Sequence, residues 1–519
     1  MLSTLIWLPI IGAILIGFIP TRLMSATQVR LVALLVSGFT FLWNLLILGK
    51  FDINNPGMQL TEYLPWNETL GLGYQLGVDG LSILLLILNS LLTWIAVFSS
   101  RKGIERPKLF YAMILLVSGG VAGAFTAQNL LLFFLFYEFE LIPFYLLISI
   151  WGGEKRFYAG TKFLIYTAVS GALILATFLG LVWLTGAKSF AIDAISVQGL
   201  STTLQVVLLI GIVLGFGIKI PIIPLHTWLP DAYVEASAPV AILLGGVLAK
   251  LGTYGLLRFG MVMFPQAWSL IAPTLAIWGA VSAMYGAVTA IAQKDIKRMV
   301  AYSSIGHMGY ILLASAASTP LSLVGAVAQM FSHGIILAIL FHLVGVVETK
   351  VGTRELEKLN GLMSPIRGLP LTSALLVLGG MASAGIPGMT GFIAEFIVFQ
   401  GSFAVFPIPT LLCVIATALT AVYFVILLNR TCFGRLDNNS AYYPPTLWYE
   451  KAPGLILAAL ILFLGIQPSW LVRWSEPTTT AMVATIPNFG ENTGYRIQDT
   501  GDRKQEIGEG RQLISSSLN

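Results

Sequence analysis

GFGIKIPIIPLHTWLP, from Gly215 to Pro230, interrupts a long apolar segment with glycine and proline near its middle. A second stretch, GGMASAGIPGMTGFIAEF from Gly379 to Phe396, has the same interruption, and aligning Pro221 with Pro387 gives an offset of 166 residues. Proline lacks the amide hydrogen that an unbroken helix needs, so both segments are predicted to be broken helices. Broken helices at matching positions indicate an internally repeated membrane transporter.

The composition of the whole chain agrees with a membrane location. Of 519 residues, 56% are hydrophobic and 10% are charged, and the mean hydropathy is +0.85. Soluble globular proteins carry about 25% charged residues. A soluble enzyme, a nucleic-acid-binding protein and a disordered chain are therefore excluded. The formal net charge of +5 reflects membrane topology rather than a basic ligand.

Apolar segments long enough to cross a hydrocarbon core of about 30 Å recur along the chain. Fourteen are predicted, with starts near residues 2, 29, 78, 109, 129, 158, 203, 239, 268, 299, 322, 371, 408 and 453. The predicted fold class is thus all-α, a polytopic membrane protein of about 14 transmembrane helices with helices seven and twelve broken. The first segment, Met1 to Pro20, lacks a basic leading region and is expected to be a retained helix rather than a signal peptide.

The 166-residue offset also relates two sets of five helices. It carries the starts of helices four to eight to within a few residues of those of helices nine to thirteen, and because five is odd, the second set must enter from the opposite face. The predicted organisation is three N-terminal helices at 1–108, two inverted repeats at 109–259 and 268–430, a last helix with its preceding loop at 431–474, and a flexible polar tail at 475–519.

The basic residues predict the orientation of the chain. If the helices alternate in direction, 19 of the 29 Lys and Arg residues fall in connections that follow odd-numbered helices, and only 8 fall on the other side. Short cytoplasmic loops are rich in Lys and Arg. We therefore expect the odd-helix connections to be cytoplasmic and both termini to face the opposite side.

Ionisable residues within the apolar segments are few: Glu138, Lys219, Lys250 and Glu395. A charge at the centre of a membrane helix costs about 2.5 to 3.5 kcal/mol, so each of these residues is expected to have an ion-pair partner or a function. A carboxylate that moves away from a buried lysine can switch it from holding to donating a proton, which makes these residues candidate proton carriers. Structural ion pairs, snorkelling of Lys219 and a loop position for Glu395 are the alternatives. Glu140 lies about 200° around the helix from Glu138 and is interpreted as an accessory group.

Two histidines join this set. His307 and His333 lie inside helices ten and eleven with small neighbours that leave room for water, so proton transfer and a plain helix-to-helix hydrogen bond are both open. His342 is about 180° around the helix from His333 and is interpreted as a helix contact. Asp79 is predicted to be the N-cap of helix three.

Cofactor signatures are missing from the sequence. Cys413 and Cys432 are the only cysteines and form no CxxC, so a disulfide framework, an iron–sulfur cluster and a zinc site are unsupported. No nucleotide-binding motif stands in a suitable context. We therefore predict that this chain binds no cofactor and no metal.

Four stretches resemble the antiporter-like membrane subunits of respiratory complex I. They are FYEFELIPFYLLISIWGG (Phe136 to Gly153), KIPIIPLHTWLPDAYVEASAPVAILLGGVLAKLGTYGLLR (Lys219 to Arg258), KDIKRMVAYSSIGHMGY (Lys294 to Tyr310) and GIPGMTGFIAEF (Gly385 to Phe396). The resemblance covers helices four to thirteen, and the type is chain 4 of the cyanobacterial and chloroplast complex, called NdhD.

This resemblance implies a translocase subunit without a redox centre of its own, in a photosynthetic complex I (NDH) that couples electron transfer to plastoquinone to proton pumping. It implies that Glu138 and Lys219 form a modulating ion pair, that Lys250 is the central proton carrier and that Glu395 is the exit carrier. Three histidines would line a hydrated axis between them: His226, His307 and His333.

The resemblance also implies partners and a location. Other membrane subunits, including sister antiporter-like subunits, and lipids would surround the chain, and the iron–sulfur clusters and quinone would belong to partner subunits. The membrane would be a cyanobacterial thylakoid or plasma membrane, with both termini on the lumenal side.

Two departures from the common family pattern, SIGHMG (Ser304 to Gly309) and VVETKVGTREL (Val346 to Leu356), favour the carbon-dioxide uptake branch, which would add a carbon-dioxide-hydrating module. Two other functions remain open. One is a subunit of an Mrp-type cation/proton antiporter, and the other is a scaffold that transports nothing.

Overall fold

The computed structural model describes residues 1–20, 24–67, 69, 71–101, 103–365, 368–434 and 443–486. Within this part of the chain, eleven helical spans are long and apolar enough to cross a membrane, judged by length and composition. Shorter apolar helices lie at Leu2–Phe18, Pro370–Ser383 and Thr390–Phe403. The predicted helical membrane architecture is confirmed.

The N-terminal part contains four helices and a hairpin. They are α1 (Leu2–Phe18), α2 (Ala26–Leu48), β1 (Gln59–Asn67), β2 (Leu72–Val78), α3 (Gly80–Ser99) and α4 (Pro107–Thr126). The strands are antiparallel, with Tyr63 opposite Gln75, which corrects the strictly all-α prediction. A lone hairpin is marginally stable, and this one is anchored because Gln128 donates its amide to the Gln75 carbonyl at 2.8 Å.

Asp79 caps α3, as predicted. Its carboxylate accepts the amides of Leu81 and Ser82 at 3.1 and 3.0 Å, and the Ser82 hydroxyl accepts the Asp79 amide in return. This reciprocal capping box satisfies amides that the first helical turn leaves without partners. The same carboxylate forms a buried ion pair with Arg258, so one side chain both starts α3 and joins it to a distant helix.

The middle of the chain continues with seven helices, one 3-10 turn and two π-helical turns. They are α5 (Leu130–Phe139), α6 (Leu141–Trp151), α7 (Arg156–Thr185), the 3-10 turn Ile192–Ala194, α8 (Thr202–Lys219), α9 (Trp228–Glu235), α10 (Ala238–Leu243), the π-turn Leu244–Leu248, α11 (Ala249–Gly255) and the π-turn Leu256–Met261. The predicted fifth helix divides at Glu140 because Pro143 cannot donate to the carbonyl of Phe139. The predicted break in helix seven is the gap between α8 and α9.

Nine helices complete the described chain. They are α12 (Pro265–Ile291), α13 (Ile296–Ala317), α14 (Pro320–Val351), α15 (Pro370–Ser383), α16 (Thr390–Phe403), α17 (Pro407–Thr431), α18 (Trp448–Ile466), α19 (Ser469–Val472) and α20 (Glu476–Ala484). The gap between α15 and α16 is the second predicted break. The tail predicted to be flexible from residue 475 begins as α20, which packs on α3 and α14; residues 487–519 lie outside the described part.

The long helix α14 lies at the centre of the fold. Its apolar window is 100% buried, and it packs against α3, α10, α13, α15, α16 and α18. On one side of it, α12 and α13 approach closely: a Cβ added to Gly279 would lie 2.7 Å from the Gly309 carbonyl oxygen. Small residues allow such contact between membrane helices. The polar side chains of α11, α13, α14 and α16 are thereby brought together inside the protein.

Candidate functional site

The last residue of α8, Lys219, is held against α5 and α6. Its Nζ lies 2.6 Å from Oε1 of Glu140, and it sits over the Tyr137 ring, 3.5 Å from the centroid. Both charged side chains are almost completely buried, Lys219 with 2% and Glu140 with 0% of its surface exposed. A buried ion pair of this kind needs close geometry to offset desolvation, and the aromatic face adds a cation–π contact.

The Lys219–Glu138 ion pair implied by the resemblance is wrong in this structure, since Glu140 occupies that place. Lys219 approaches the helix face that bears Tyr137 and Glu140. Glu138 lies on a different face, with its carboxylate against Gly171 of α7, and forms no ion pair within the described part of the chain. The sequence argument that the two acids point apart is correct, but the resemblance pairs the lysine with the wrong acid.

Tyr137 is held in place from its other end. Its hydroxyl lies 2.9 Å from Oγ of Ser170 on α7, and Ser170 donates to the carbonyl of Gly215 on α8 at 2.7 Å. These contacts join α5, α7 and α8 around the lysine. These contacts position the end of α8 next to Glu140.

Lys250 lies on α11, directly after a π-helical turn, with 0% of its surface exposed. Its Nζ donates to the carbonyl of Gly245 within that turn at 2.6 Å and lies 2.8 Å from Nδ1 of His333 on α14. No carboxylate lies within ion-pair distance of Lys250 among the described residues. A π-turn is a frequent feature of functional sites in helices, because it frees and redirects backbone groups.

His333 leads from Lys250 toward His307. The centroids of the two imidazole rings are 5.3 Å apart, with 46° between the ring planes. Nδ1 of His333 faces Lys250, and its buried Nε2 has no hydrogen-bond partner among the described groups. A buried polar atom without a protein partner is a natural contact for an internal water molecule.

His307 has polar neighbours on three further helices. Its Nε2 lies 3.1 Å from Oγ of Ser383 at the end of α15. Its Nδ1 lies 3.2 Å from Nε2 of Gln329 on α14 and 3.3 Å from Oε1 of Glu395 on α16. The ring therefore connects both halves of the second broken helix.

Glu395 itself is packed against the break. Gly385, in the gap between α15 and α16, has φ +71°, and a Cβ placed on it would lie 2.8 Å from Oε2 of Glu395. A residue with a side chain would be strained there and would also collide with the carboxylate. Glu395 is buried, with 3% of its surface exposed. The alternative that it occupies a loop position is therefore wrong.

The remaining histidines lie apart from this chain of contacts. His226, in the gap between α8 and α9, has its Nε2 3.3 Å from the hydroxyl of Tyr285 on α12. The structure does not bring it into contact with Lys250, His333 or His307 within the described residues. His342 lies with Nε2 2.7 Å from the carbonyl of Glu450, in agreement with a helix contact.

The contacts thus form one series of titratable groups, from Lys250 through His333 and His307 to Glu395, which sequence reasoning identifies one by one. Sequence reasoning does not identify Gln329, and it interprets Glu140 as an accessory group although Glu140 is the ion-pair partner of Lys219. The available signal for Gln329 is its position four residues before His333, which puts both side chains on one helix face. Among the described residues, no group of three or more His, Cys, Asp or Glu side chains could hold a metal ion. Cys413 and Cys432 are both buried and unpaired.

Comparison with known proteins shows the family of the chain. The family described as NADH:quinone oxidoreductase/Mrp antiporter, transmembrane, matches residues 127–420, which include every group in the series. A NAD(P)H-quinone oxidoreductase chain 4 of Picosynechococcus is 37% identical, over 99% of this chain and 97% of that relative. Another, from Microcystis aeruginosa, is 41% identical over 83% of this chain and 79% of the relative.

Solved structures share the fold. A chain of respiratory complex I from Thermus thermophilus superposes with a TM-score of 0.85 at 27% identity, covering 94% of this chain and 100% of that one. A chain of the Mrp complex from Dietzia has a TM-score of 0.82 at 20% identity, covering 93% and 99%, which is a likeness of fold alone. The resemblance noted in the four sequence stretches is confirmed: the chain belongs to the NADH:quinone oxidoreductase/Mrp antiporter transmembrane family, as a subunit of the chain 4 (NdhD) type of NAD(P)H-quinone oxidoreductase.

Proposed function

We propose that this chain translocates protons in a photosynthetic complex I that couples electron transfer to plastoquinone to proton pumping. The observation that carries the proposal is the buried series from Lys250 through His333 and His307 to Glu395. Each member can bind and release a proton, and neighbouring members are within hydrogen-bond distance or one bridging water of each other. The series ends at the second broken helix, where a transport path has room to open.

The ion pair of Lys219 and Glu140 controls this series in our proposal. A lysine released from its carboxylate would exert its charge on α11, and the two helices touch: a Cβ on Gly252 of α11 would lie 2.9 Å from the Ile220 amide nitrogen at the end of α8. A positive charge moved toward Lys250 favours loss of the Lys250 proton. The proton then passes to His333, His307 and Glu395. Glu138 and His226 remain proposed members of the path at its outer and entry sides.

The membrane topology we propose has fourteen crossings. They comprise the eleven long spans, the short helix α1, the less apolar helix α13 and the broken pair α15 and α16. The repeats would occupy 109–259 and 268–430, between the N-terminal part at 1–108 and the last helix at 431–474. Both termini would face the lumen of a thylakoid membrane, or the periplasm if the complex lies in the plasma membrane, because Lys and Arg are concentrated in the odd-helix connections.

The partners we propose are other membrane subunits of the complex, including sister antiporter-like subunits, and lipids. Iron–sulfur clusters and quinone would be bound by partner subunits, with no cofactor on this chain. The SIGHMG and VVETKVGTREL variants support membership of the carbon-dioxide uptake branch, with a carbon-dioxide-hydrating module as a further partner. Purification of the intact complex tests this branch, because a respiratory-type complex would lack that module.

Proton uptake by vesicles that carry the intact complex, driven by quinone reduction, tests the central claim. Lys250→Ala should abolish uptake while the complex still assembles. Lys294→Ala is the matched control, since that lysine is 80% exposed on the protein surface and should leave uptake unchanged. Unchanged uptake in assembled Lys250→Ala complex would return this lysine to a structural role and refute the proposed path.

The alternative function is a subunit of an Mrp-type cation/proton antiporter, which has only the shared family and, at 20% identity, the common fold in its favour. Purification separates the two, because a complex I assembly brings hydrophilic iron–sulfur subunits with it and an antiporter assembly does not. The chain 4 relatives, at 37 to 41% identity, favour the oxidoreductase assembly.

A further inference from the structure

The Nδ1 atom of His307 has two neighbours, of which one requires a lone pair on Nδ1 and the other requires a hydrogen. Nε2 of Gln329, 3.2 Å away, belongs to an amide group that donates a hydrogen bond and therefore needs a lone pair on Nδ1. Oε1 of Glu395, 3.3 Å away, belongs to a carboxylate that accepts and therefore needs a hydrogen on Nδ1. One protonation state of the ring cannot satisfy both neighbours.

The other ring nitrogen has a neighbour that is compatible with the tautomer that Gln329 requires. Nε2 of His307 lies 3.1 Å from Oγ of Ser383, which can accept its hydrogen. With the hydrogen on Nε2, Nδ1 carries the lone pair that Gln329 requires. Gln329 and Ser383 have 2% and 1% of their surfaces exposed, so bulk water does not compete for either contact. Gln329, on α14, thus selects this tautomer, and the Ser383 hydroxyl on α15, which can accept or donate, accommodates it.

We propose that Gln329 is a positioning residue that holds neutral His307 in its Nε2–H tautomer and thereby decides when His307 can pass a proton to Glu395. This inference rests on the proposed proton translocation and adds a control point to it. The buried Oε1 of Gln329, which has no hydrogen-bond partner among the described groups, supports a second state of the amide. Rotation of the amide would turn that oxygen toward a protonated Nδ1.

The transfer balances in two steps. An arriving proton binds the Nδ1 lone pair, the hydrogen bond from Gln329 breaks, and the ring becomes an imidazolium with hydrogens on both nitrogens. The Nδ1–H bond then breaks as an O–H bond forms on Glu395, which leaves a neutral ring and a neutral carboxylic acid. Gln329 can donate to Nδ1 again only after this release. It therefore stabilises the empty state of His307 against the loaded one.

The titratable and charged groups near His307 come from its own helix and from the helices that pack against it. On the same helix, Tyr310 packs edge-on against the ring, and α14 contributes His333, with Lys250 beyond it. On α16 the ring meets Glu395, whose field also reaches Cys413 and Tyr423 of α17. The charged and titratable residues of α9 and α12 have other partners. On α9, Asp231 forms ion pairs with Lys162 and Arg298, Glu235 accepts the Lys155 amide, and Tyr233 donates to the Leu244 carbonyl. On α12, the Tyr285 hydroxyl lies within hydrogen-bond distance of His226.

The pH dependence of quinone-driven proton uptake tests the inference in vesicles carrying the intact complex. Gln329→Glu places a carboxylate beside Nδ1 and should stabilise the imidazolium, so the acidic midpoint, where uptake falls by half as the pH is lowered, should rise by about one pH unit or more. Measured at the wild-type midpoint, uptake should then be about five-fold lower than in the wild type if the midpoint has risen by one pH unit, and about fifty-fold lower if it has risen by two. Gln329→Met keeps a similar volume, removes the donor, and should move the midpoint in the same direction by less.

A role in packing alone predicts a different pattern. Both Gln329 variants would then lower the maximum uptake and leave the midpoint at its wild-type pH, and that result would overturn the inference. Ser383→Ala is a second probe on another helix: it removes the acceptor from Nε2–H, weakens the imidazolium, and should bring the midpoint to lower pH. If the Gln329 variants fail to assemble, this opposite movement decides the question, and an unchanged midpoint in Ser383→Ala refutes the inference.

Lys250→Ala, measured beside these variants, separates this inference from the function on which it rests. Unimpaired uptake in that variant would refute the proposed path as a whole. Lost uptake in Lys250→Ala, together with wild-type midpoints in the Gln329 and Ser383 variants, would keep the path and reject only the role of Gln329.

Discussion

Replacing Glu140 by glutamine should impair this protein more than the same replacement at Glu138. Glu140→Gln keeps the size and a hydrogen-bonding group but removes the negative charge that lies 2.6 Å from Lys219. The lysine would then be a buried cation with no carboxylate in contact. Glu138 carries the same carboxyl group two residues away on a partly exposed helix face, so it provides a matched control for the measurement of stability.

The size of the effect follows from the geometry. Two unit charges 2.6 Å apart attract by roughly 6 kcal/mol at the effective dielectric constant of about 20 that describes protein sites. Desolvation of both groups cancels much of this attraction in the intact pair, yet removing one partner leaves the other buried and unpaired, which costs about 3 to 5 kcal/mol. Glu138→Gln breaks no ion pair of the described structure, so a smaller loss of stability than in Glu140→Gln is expected.

Two measurements on the purified complex examine this difference. Thermal unfolding, followed by tryptophan fluorescence, should occur at a clearly lower temperature in Glu140→Gln and near the wild-type temperature in Glu138→Gln. Quinone-driven proton uptake should fall by about ten-fold or more in Glu140→Gln, because a change of only about 1.4 kcal/mol in the state of Lys219 corresponds to a factor of ten. A larger loss of thermal stability in Glu138→Gln than in Glu140→Gln would refute the assignment of Glu140 as the partner of Lys219.

Two further predictions concern stability. Asp79→Asn and Asp79→Ala both remove the buried ion pair with Arg258, but only Ala also removes the cap of α3, so thermal unfolding should show Asp79→Ala to be less stable by about a further 1 kcal/mol; equal stabilities would contradict the capping role. Burial raises the pKa of Glu62, but the hydrogen bonds it accepts from the start of α1 lower it by more, so its pKa lies below the ordinary value of 4.5. The stability advantage of the wild type over Glu62→Gln should therefore be complete above about pH 5 and be lost as the pH falls through that lowered pKa; thermal unfolding between about pH 3 and 7 measures it, and an advantage that grows on acidification would contradict it.

The helices and their two breaks can be predicted because membrane burial leaves a strong signal: long apolar segments, with proline where a helix cannot continue. Lys250, His307, His333 and Glu395 are found for the same reason, since an ionisable group in an apolar helix is conspicuous. Their mutual contacts depend on how α11, α13, α14 and α16 pack, and the spacing along one helix does not specify that arrangement.

The misassigned partner of Lys219 shows where this reasoning stops. Helix periodicity separates Glu138 from Glu140 by direction, but only the position of α8 decides which direction faces the lysine. Gln329 is not identified from the sequence because burying a neutral amide in a membrane helix costs less free energy than burying a charge, so the residue does not indicate a function by itself. The hairpin of β1 and β2 is missed because a short two-stranded sheet depends on anchoring contacts, such as the Gln128 amide, that come from distant sequence.

The π-helical turns on either side of Lys250 also constrain how this stretch can change in length. A π-turn behaves as an α-helix with one extra residue. Deleting a single residue from Leu244–Leu248 would restore an ordinary turn and rotate Lys250 by about 100° relative to α10, which is packed on α14. The ammonium group would then point away from His333 although every functional side chain was still present. The number of residues between Pro239 and Lys250 is therefore as strict a requirement as the lysine, and a one-residue gap there should mark sequences that have lost this contact.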